Sequence, residues 1–302
     1  MAREAFEAAK PLRGKGRVAD YIPALAKIDP MKLGLAIALP DGSVIGEGDC
    51  EEPFSIQSVS KVFTLALALE KVGDTLWDCV GREPSGSPFN SIVQLESENG
   101  IPRNPLINAG AIAVTDRLIG DDDPDEVVER LVAFMAERSG NPAVGFDPDV
   151  ARSESETGSR NRSLAHFMAA FNNLTHDAET ALSVYFRQCA LAMSCSDLAR
   201  AALFLANGGV DPRSGTRIIS ETRGRRINAV MLTCGHYDNS GDFAFRVGLP
   251  GKSGVGGGIL VIAPGRGAIV AWSPGLNKAG TSLAGSAALE HFAAKAGWSV
   301  FN

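Results

Sequence analysis

The sequence predicts an α+β fold in which one antiparallel sheet is covered by helices and an all-helical lobe is inserted between its strands. Three observations support this fold class. A β-hairpin pattern lies near the start of the chain, helical patterns fill residues 104–209, and short β-patterns separated by Pro and Gly turns return after residue 243. We therefore expect a single domain, residues 1–302, with two lobes and a ligand cleft between them.

The first third of the chain predicts a helix, a hairpin and a second helix. The first helix covers residues 18–28 and is ended by an Asp-Pro pair. The hairpin pairs residues 33–39 with residues 43–47 across a Pro-Asp-Gly turn. Residues 58–72 are apolar around most of a helix circumference and are followed by Gly73, which indicates an interior helix with a glycine end.

The middle third of the chain has the periodicity of helices, whereas most of the last third has that of strands. Helical patterns with caps predict helices over residues 105–119, 125–138, 163–174, 178–193 and 196–207. Strands are predicted over residues 243–249, 258–263 and 268–272, followed by an amphipathic helix over residues 282–296. We assign residues 1–57 and 220–302 to the sheet lobe and residues 58–219 to the helical lobe.

The composition is that of a globular protein that buries a large core. The 302 residues are 45% hydrophobic and 21% charged, with 29 Lys and Arg against 35 Asp and Glu and a formal net charge of −6. Because the basic residues are scattered, we expect neither nucleic acid nor a membrane as partner. Residues 1–14 contain no apolar core typical of a secretory signal, so we expect a cytoplasmic protein.

The cysteines and histidines predict no metal site. The five cysteines form no C-x-x-C pair, and the four histidines form no H-E-x-x-H pair. Only Cys234 and His236 lie close together along the chain, and no second pair matches them. We therefore expect free buried thiols, no metal and no cofactor.

One S-x-x-K motif, Ser58 to Lys61, opens the predicted interior helix. Residues three apart share a helix face, and the free N–H groups of a helix N-terminus can hold an oxyanion. Burial would lower the pKa of Lys61 and let its amine accept the Ser58 proton. Such a motif arises by chance about 0.7 times in this composition. Ser58 as a helix cap, and Lys61 as a surface cation or carboxylate partner, therefore remain alternatives.

A second motif, Lys-Ser-Gly at residues 252–254, lies at the predicted edge of the last strands. K-[ST]-G arises by chance about 0.1 times here, and together with S-x-x-K it is the paired signature of acyl-serine enzymes. The glycines that follow allow close approach to a substrate, and a backbone N–H there can complete an oxyanion hole; a turn or bulge is the alternative. The S-x-N motif of penicillin-directed enzymes is absent, since residues 196–198 are Ser-Asp-Leu.

These motifs belong to a longer pattern that extends over nearly the whole chain. It consists of A-D-Y-I-P (19–23), Q-S-V-S-K (57–61), E-P-S-G (83–86), N-P (104–105), N-A-G-A-I (108–112), S-E (153–154), R-N (160–161), L-A-N-G-G (205–209), C-G-H-Y-D (234–238), F-A-F (243–245), V-G-L-P (247–250), K-S-G-V (252–255) and W-S-P (272–274). In this collinear pattern, the chain resembles the bacterial serine-dependent glutaminases, members of the β-lactamase and transpeptidase-like superfamily.

The resemblance implies the superfamily fold and hydrolysis of L-glutamine to L-glutamate and ammonia through an acyl-enzyme, with no cofactor. It implies Ser58 as nucleophile, Lys61 as its base and Tyr237 as a proton relay. It places substrate contacts at Tyr21, Gln57, Ser58, Asn108, Glu154, Asn161, Tyr185 and Tyr237, and an oxyanion contact at the backbone of Val255. The three tyrosines of the chain all fall on these positions.

Elementary chemistry agrees with these roles. A carboxylate such as Glu154 suits the ammonium of free glutamine, and the amides of Asn108 and Asn161 can donate to its α-carboxylate. Each of these residues taken singly is also compatible with a cap or a polar surface position. The resemblance further suggests a homodimer or a homotetramer.

Two other functions remain open. Another acyl-serine amidase, or a hydrolase that recognises β-lactams, would use the same nucleophile. A non-catalytic glutamine-binding protein would use the same scaffold, although the presence of Ser58, Lys61 and Tyr237 argues against it.

Overall fold

Two antiparallel sheets form the strand framework of the computed structural model, which describes residues 1–86 and 90–302. The strands are β1 (Gly34–Ala38), β2 (Val44–Gly48), β3 (Phe54–Ser55), β4 (Gly145–Phe146), β5 (Leu191–Met193), β6 (Gly251–Ser253), β7 (Gly258–Ala263) and β8 (Gly267–Trp272). The main sheet has the order β2-β1-β8-β7-β6, and a small sheet has the order β3-β5-β4. The predicted antiparallel sheet built from the first and last thirds of the chain is confirmed.

The predicted hairpin is confirmed, and its turn follows from local chemistry. The Asp41 carboxylate accepts the backbone N–H of Ser43 at 2.9 Å, and Gly42 has a φ of 86°, which favours glycine. Beyond the turn, β1 pairs with β8 so that Gly34 lies opposite Trp272. The first hairpin is therefore completed by a strand from the last part of the chain.

Helices cover both sheets. They are α1 (Ala2–Ala9), α2 (Ser60–Val72), α3 (Val93–Ser97), α4 (Asn108–Ile119), α5 (Pro124–Ser139), α6 (Pro148–Thr157), α7 (Ser159–Ala170), α8 (Ala178–Cys189), α9 (Cys195–Ala201), α10 (Leu203–Ala206), α11 (Glu221–Cys234), α12 (Ser240–Val247) and α13 (Leu283–Ala296). The predicted interior helix is α2, which packs against α4, α8 and α11 and ends at Gly73 with a φ of 65°.

The main sheet lies between two apolar layers because its side chains alternate between faces. On one face, Leu35 and Ile269 belong to a cluster with residues of α1, α12 and α13. On the other face, Ala36 and Val270 belong to the larger cluster that contains α2, α4, α8 and α9. The helices from the middle of the chain therefore pack on one face of the sheet. The helices from the two terminal parts of the chain pack on the other face.

Two predicted elements are wrong. Residues 18–28 form only a short 3-10 turn, Leu25–Lys27, since Pro23 lacks the N–H that an α-helix needs. The predicted strand at residues 243–249 is helix α12, in which Phe243 and Val247 are buried four residues apart while Phe245 is 90% exposed. A short apolar alternation is compatible with both structures, and packing against α11 and α13 favours the helix.

The middle of the chain is less purely helical than the sequence predicts. The helix predicted to reach residue 193 ends at Cys189, and Leu191–Met193 becomes the central strand of the small sheet. Among the described residues, no helix is long and apolar enough to span a bilayer. The five cysteines are free and buried, as predicted.

Candidate active site

Ser58 lies where strand β3 leads into helix α2. A 3-10 turn, Gln57–Val59, joins the two elements and leaves Ser58 only 7% exposed. The residue that precedes α2 is Val59, and no side chain caps this helix end. Ser58 is therefore not the helix cap, and its hydroxyl is instead hydrogen-bonded to the side chain of Tyr237.

Lys61 lies on the first turn of α2 and is 1% exposed. Its Nζ donates a hydrogen bond of 2.7 Å to Oδ1 of Asn108 and one of 3.3 Å to the carbonyl oxygen of Leu106. Burial lowers the pKa of Lys61 from 10.5 to about 8, although negative charge at Glu154 acts in the opposite direction. Lys61 is thus neither a surface cation nor in direct contact with a carboxylate.

Tyr237 begins the 3-10 turn Tyr237–Asn239 that follows α11. Its ring centroid lies 5.9 Å from Nζ of Lys61 and 4.2 Å from Nζ of Lys252. Burial raises the pKa of Tyr237 above its usual value, so the hydroxyl carries its proton at neutral pH. Burial and the charge of Lys61 hold the pKa of Lys252 well below its usual range. The phenol of Tyr237 therefore lies near two lysine amines that lose their protons more readily than exposed ones.

The backbone is strained at two residues next to Ser58. Gln57 and Tyr237 have φ angles of 50° and 58°, in the left-handed region that residues with large side chains rarely adopt. Such conformations cost about 1–3 kcal/mol each and persist only where the surrounding structure imposes them. Both strained residues adjoin Ser58, Gln57 along the chain and Tyr237 through its hydroxyl. The fold therefore imposes the geometry of the segment that carries Ser58.

The glycine-rich turn after β6 packs directly on the segment that carries Ser58. A Cβ atom at Gly254 would lie 2.6 Å from the carbonyl oxygen of Ile56 and 3.3 Å from the backbone nitrogen of Ser58. The next residue, Val255, lines the same cavity as Ser58. The predicted close approach of this turn is therefore present, and the space admits no side chain at residue 254.

We expect Gly254→Ala to lower kcat/KM by about tenfold to a hundredfold, because the new methyl group must displace the Ile56 carbonyl oxygen and with it the segment that leads to Ser58. Steady-state kinetics against the substrate proposed below would measure the loss. Gly241→Ala is the matched control, since a Cβ atom there meets nothing within 4 Å. Equal activity of the two variants would contradict the close approach.

A cavity of about 110 Å³ opens beside Ser58. The predicted site residues that line it are Tyr21, Gln57, Ser58, Asn108, Glu154, Asn161, Tyr185 and Val255. Lys61 and Tyr237 lie behind this lining and reach it through Asn108 and Ser58. The structure thus brings together side chains from segments far apart along the chain, as the resemblance implies.

Glu154, with the Gln57 amide beside it, forms the acidic part of the cavity wall. Glu154 lies on α6 and is 7% exposed. Burial raises the pKa of Glu154 from 4.5 to about 7, against a hydrogen bond from the Gln57 side chain and the charge of Lys61, which lower it. Tyr21, 54% exposed, lies at the outer rim of the cavity. A cation bound beside Glu154 would favour the ionised carboxylate.

The amide wall of the cavity consists of Asn108 and Asn161. Nδ2 of Asn108 donates to Oδ1 of Asn161 at 2.9 Å, while its Oδ1 accepts from Lys61. These two bonds orient Asn108 and leave the Nδ2 group of Asn161 as a donor for a ligand. The ring of Tyr185, which is 2% exposed, lies 5.8 Å from Nζ of Lys61 and adds an apolar surface.

Sequence reasoning missed several residues of the cavity wall: Ile22, Asn90, Thr157, Gly158, Arg160 and Cys189. Cys189 is the one that a pattern indicates, because it lies four residues after Tyr185 on the same face of α8. Its thiol interacts with the hydroxyls of Tyr185 and Ser60. Ser196 and Asp197 do not line the cavity; Asp197 completes a capping box at the start of α9.

Comparisons with known proteins agree with this geometry. A family model described as Glutaminase matches residues 16–301. A glutaminase of Agrobacterium fabrum is 58% identical over 296 residues, which cover 98% of this chain and 96% of that protein. A thermolabile glutaminase of Rhizobium etli is 60% identical over 291 residues, which cover 96% of this chain and 94% of that protein.

Solved structures show the same fold over the same length. A probable glutaminase named ybaS has a TM-score of 0.93 and 39% sequence identity, covering 100% of this chain and 98% of its own. A probable glutaminase of Bacillus subtilis complexed with 6-diazo-5-oxo-L-norleucine has a TM-score of 0.90 and 34% identity, covering 99% and 96%. With the family model and these relatives matching nearly its whole length, the chain belongs to the glutaminase family.

Proposed function

We propose that this chain hydrolyses L-glutamine to L-glutamate and ammonia through an acyl-enzyme on Ser58. The observation that carries the proposal is the position of Ser58, whose hydroxyl is bonded to Tyr237 while its residue lines a cavity that also contains Glu154. Membership of the glutaminase family supports the substrate.

Acylation begins when Ser58 loses its proton. With a pKa of about 8, roughly one Lys61 in ten is uncharged at pH 7 and can accept a proton. The Tyr237 hydroxyl, bonded to Ser58 and itself protonated, relays that proton to Lys61. The Ser58 oxygen then attacks the side-chain amide carbon of glutamine. The resulting oxyanion lies near the backbone N–H groups of Ser58 and Val255.

The tetrahedral intermediate collapses when the C–N bond breaks. The proton held by Lys61 returns to the leaving nitrogen, and ammonia departs. A water molecule then attacks the glutamyl ester of Ser58, giving its proton to Lys61 by the same path. As the ester bond breaks, Lys61 returns this proton to the Ser58 oxygen, so glutamate leaves and the Ser58 hydroxyl is restored.

Substrate recognition divides between the two walls of the cavity. The carboxylate of Glu154 pairs with the α-ammonium of glutamine, and the amide of Asn161 donates to its α-carboxylate. The ammonium replaces part of the hydration that Glu154 loses on burial, so binding stabilises its ionised form. A ligand without an α-ammonium leaves this buried carboxylate unpaired and binds less well.

The test is ammonia release by the purified protein from L-glutamine, with L-asparagine and a chromogenic β-lactam as alternative substrates. We expect turnover of glutamine and equal yields of ammonia and glutamate. A protein that hydrolyses only another amide or the β-lactam would support the acyl-serine alternative. A folded protein that binds glutamine without releasing ammonia would show a binding protein and contradict the proposal.

We further propose that the protein is a homodimer or a homotetramer, as the family resemblance suggests, and that it acts in the cytoplasm. Membership of the glutaminase family supports this assignment. Light scattering after size-exclusion chromatography gives the number of copies, and a single-copy mass in solution would contradict the assembly. Fractionation of the source cells tests the location.

A further inference from the structure

Ser55 is a buried polar residue of β3 that none of the proposed chemical steps uses. It is 6% exposed and lies two residues before Gln57. Its Oγ makes two hydrogen bonds, one of 3.0 Å with the carbonyl oxygen of Cys189 and one of 2.9 Å with Nε2 of Gln57. Ser55 thus connects a cavity-lining side chain to the end of helix α8.

The carbonyl oxygen of Cys189 determines which group donates and which accepts in each of these two hydrogen bonds. A carbonyl oxygen only accepts, so the single hydroxyl proton of Ser55 must be donated to Cys189. The Ser55 oxygen can then only accept from Gln57, which must present its NH2 group and not its oxygen. The two ends of the Gln57 amide are therefore distinguished by Ser55.

The backbone around Ser55 cannot adjust to a different arrangement. The N–H of Ile56 donates to the carbonyl oxygen of Leu191 at 2.8 Å, and a Cβ atom at Gly256 would lie 2.2 Å from the carbonyl oxygen of Ser55. Gln57 itself is held at a φ of 50°. When the Ser55 hydroxyl is removed, the Gln57 NH2 group keeps Glu154 as an acceptor and loses the other, so the amide is free to turn away from its position.

We propose that Ser55 is a positioning residue that holds one N–H of the Gln57 amide, so that the other N–H donates to the Glu154 carboxylate that binds the α-ammonium of the substrate. This inference rests on the proposed glutaminase function. Ser55 acts through Gln57 and does not touch the reacting atoms. Its contribution is to substrate binding, and it acts equally before and during the chemical step.

The test compares Ser55→Ala with Ser139→Ala. Ser139 is the matched control because it is also buried, does not line the cavity, and has a hydroxyl that donates to a carbonyl oxygen and accepts one N–H. We expect Ser55→Ala to raise KM for L-glutamine by about 5- to 20-fold, the loss of roughly one oriented hydrogen bond to a charged group, with little change in kcat. Ser139→Ala leaves KM unchanged.

Two further measurements separate positioning from general damage. The substrate 5-amino-5-oxopentanoate keeps the amide and the carboxylate and lacks the α-ammonium, so Ser55→Ala should leave its KM unchanged. In a Gln57→Leu background, Ser55→Ala should have no further effect on KM for L-glutamine. An equal rise in KM for both substrates, or an effect that persists without Gln57, would overturn the inference.

The same comparison can be made without turnover. Calorimetric titration of L-glutamine into Ser58→Ala, with and without Ser55→Ala, measures the loss of affinity directly. If the unsubstituted chain releases no ammonia, the proposed function fails, and the titration still decides whether Ser55 acts on glutamine binding through Gln57. Unchanged affinity in the double variant would reject the role of Ser55 while leaving the function intact.

Discussion

Ser58→Ala is expected to lose ammonia release from L-glutamine almost completely, with kcat lower by a factor on the order of 10⁴–10⁶. Without the hydroxyl, no acyl-enzyme forms, and the remaining groups can only promote slow direct attack by water. The substitution removes a single oxygen from a residue that is 7% exposed and does not cap α2. We therefore expect the melting temperature to stay close to that of the unsubstituted protein.

The control for Ser58→Ala is ligand binding. Glu154 and Asn161 are unchanged in this variant, so L-glutamine should bind with an affinity comparable to KM and without being consumed. Mass spectrometry after rapid quenching should detect a glutamyl adduct on the peptide with Ser58 and none in the variant. Residual turnover above about one hundredth of the original rate would contradict the role of Ser58 as nucleophile.

Lys61→Met is expected to lower kcat by about 10³–10⁴-fold, because methionine has a similar length and no group that accepts a proton. Lys61→Arg should lose as much, since a guanidinium stays protonated at every accessible pH. Lys71→Arg is the matched control. This lysine lies on the same helix, and its Nζ contacts Asp122 and the carbonyl end of α4. We expect it to retain full activity.

The pH profile gives a second test of Lys61. Its amine must be uncharged to accept a proton, and burial lowers its pKa to about 8, so kcat should rise as pH increases through about 8. Protonation below that pH removes the base, and the rate should fall about tenfold per pH unit. The residual activity of Lys61→Met should lack this limb. An unchanged rising limb in the variant would assign the base to another group.

Much of the fold was accessible from the sequence wherever a local pattern coincided with its tertiary environment. The hairpin at residues 33–47, the strands near residues 258–272 and the last helix carry turn or cap signals that the structure uses. Residues 191–193 show the opposite case. Their pattern continues a helix, yet they pair with β3 and β4, because a backbone pairing far along the chain outweighs local propensity.

Some residues of the candidate site could be predicted from local sequence patterns, and others could not. The spacing of Ser58 and Lys61 at the start of α2, and the likeness of residues 252–254 to a known motif, are local patterns. Glu154 and Asn161 lie on other helices, and only the family resemblance indicates that they share a cavity. The contact between Ser55 and Cys189 depends on how β3 meets the end of α8, which no pattern of neighbouring residues encodes.

The pairing of β1 with β8 has a consequence for how the protein is made. Gly34 is translated 238 residues before its partner Trp272. Until then, β1 has an unpaired edge, and the nucleophile segment lacks the glycine turn that holds it. Contacts so distant along the chain form slowly and leave a nascent chain prone to aggregation. The site is thus complete only after residue 272 has been made, and chains that stop before this residue should be inactive.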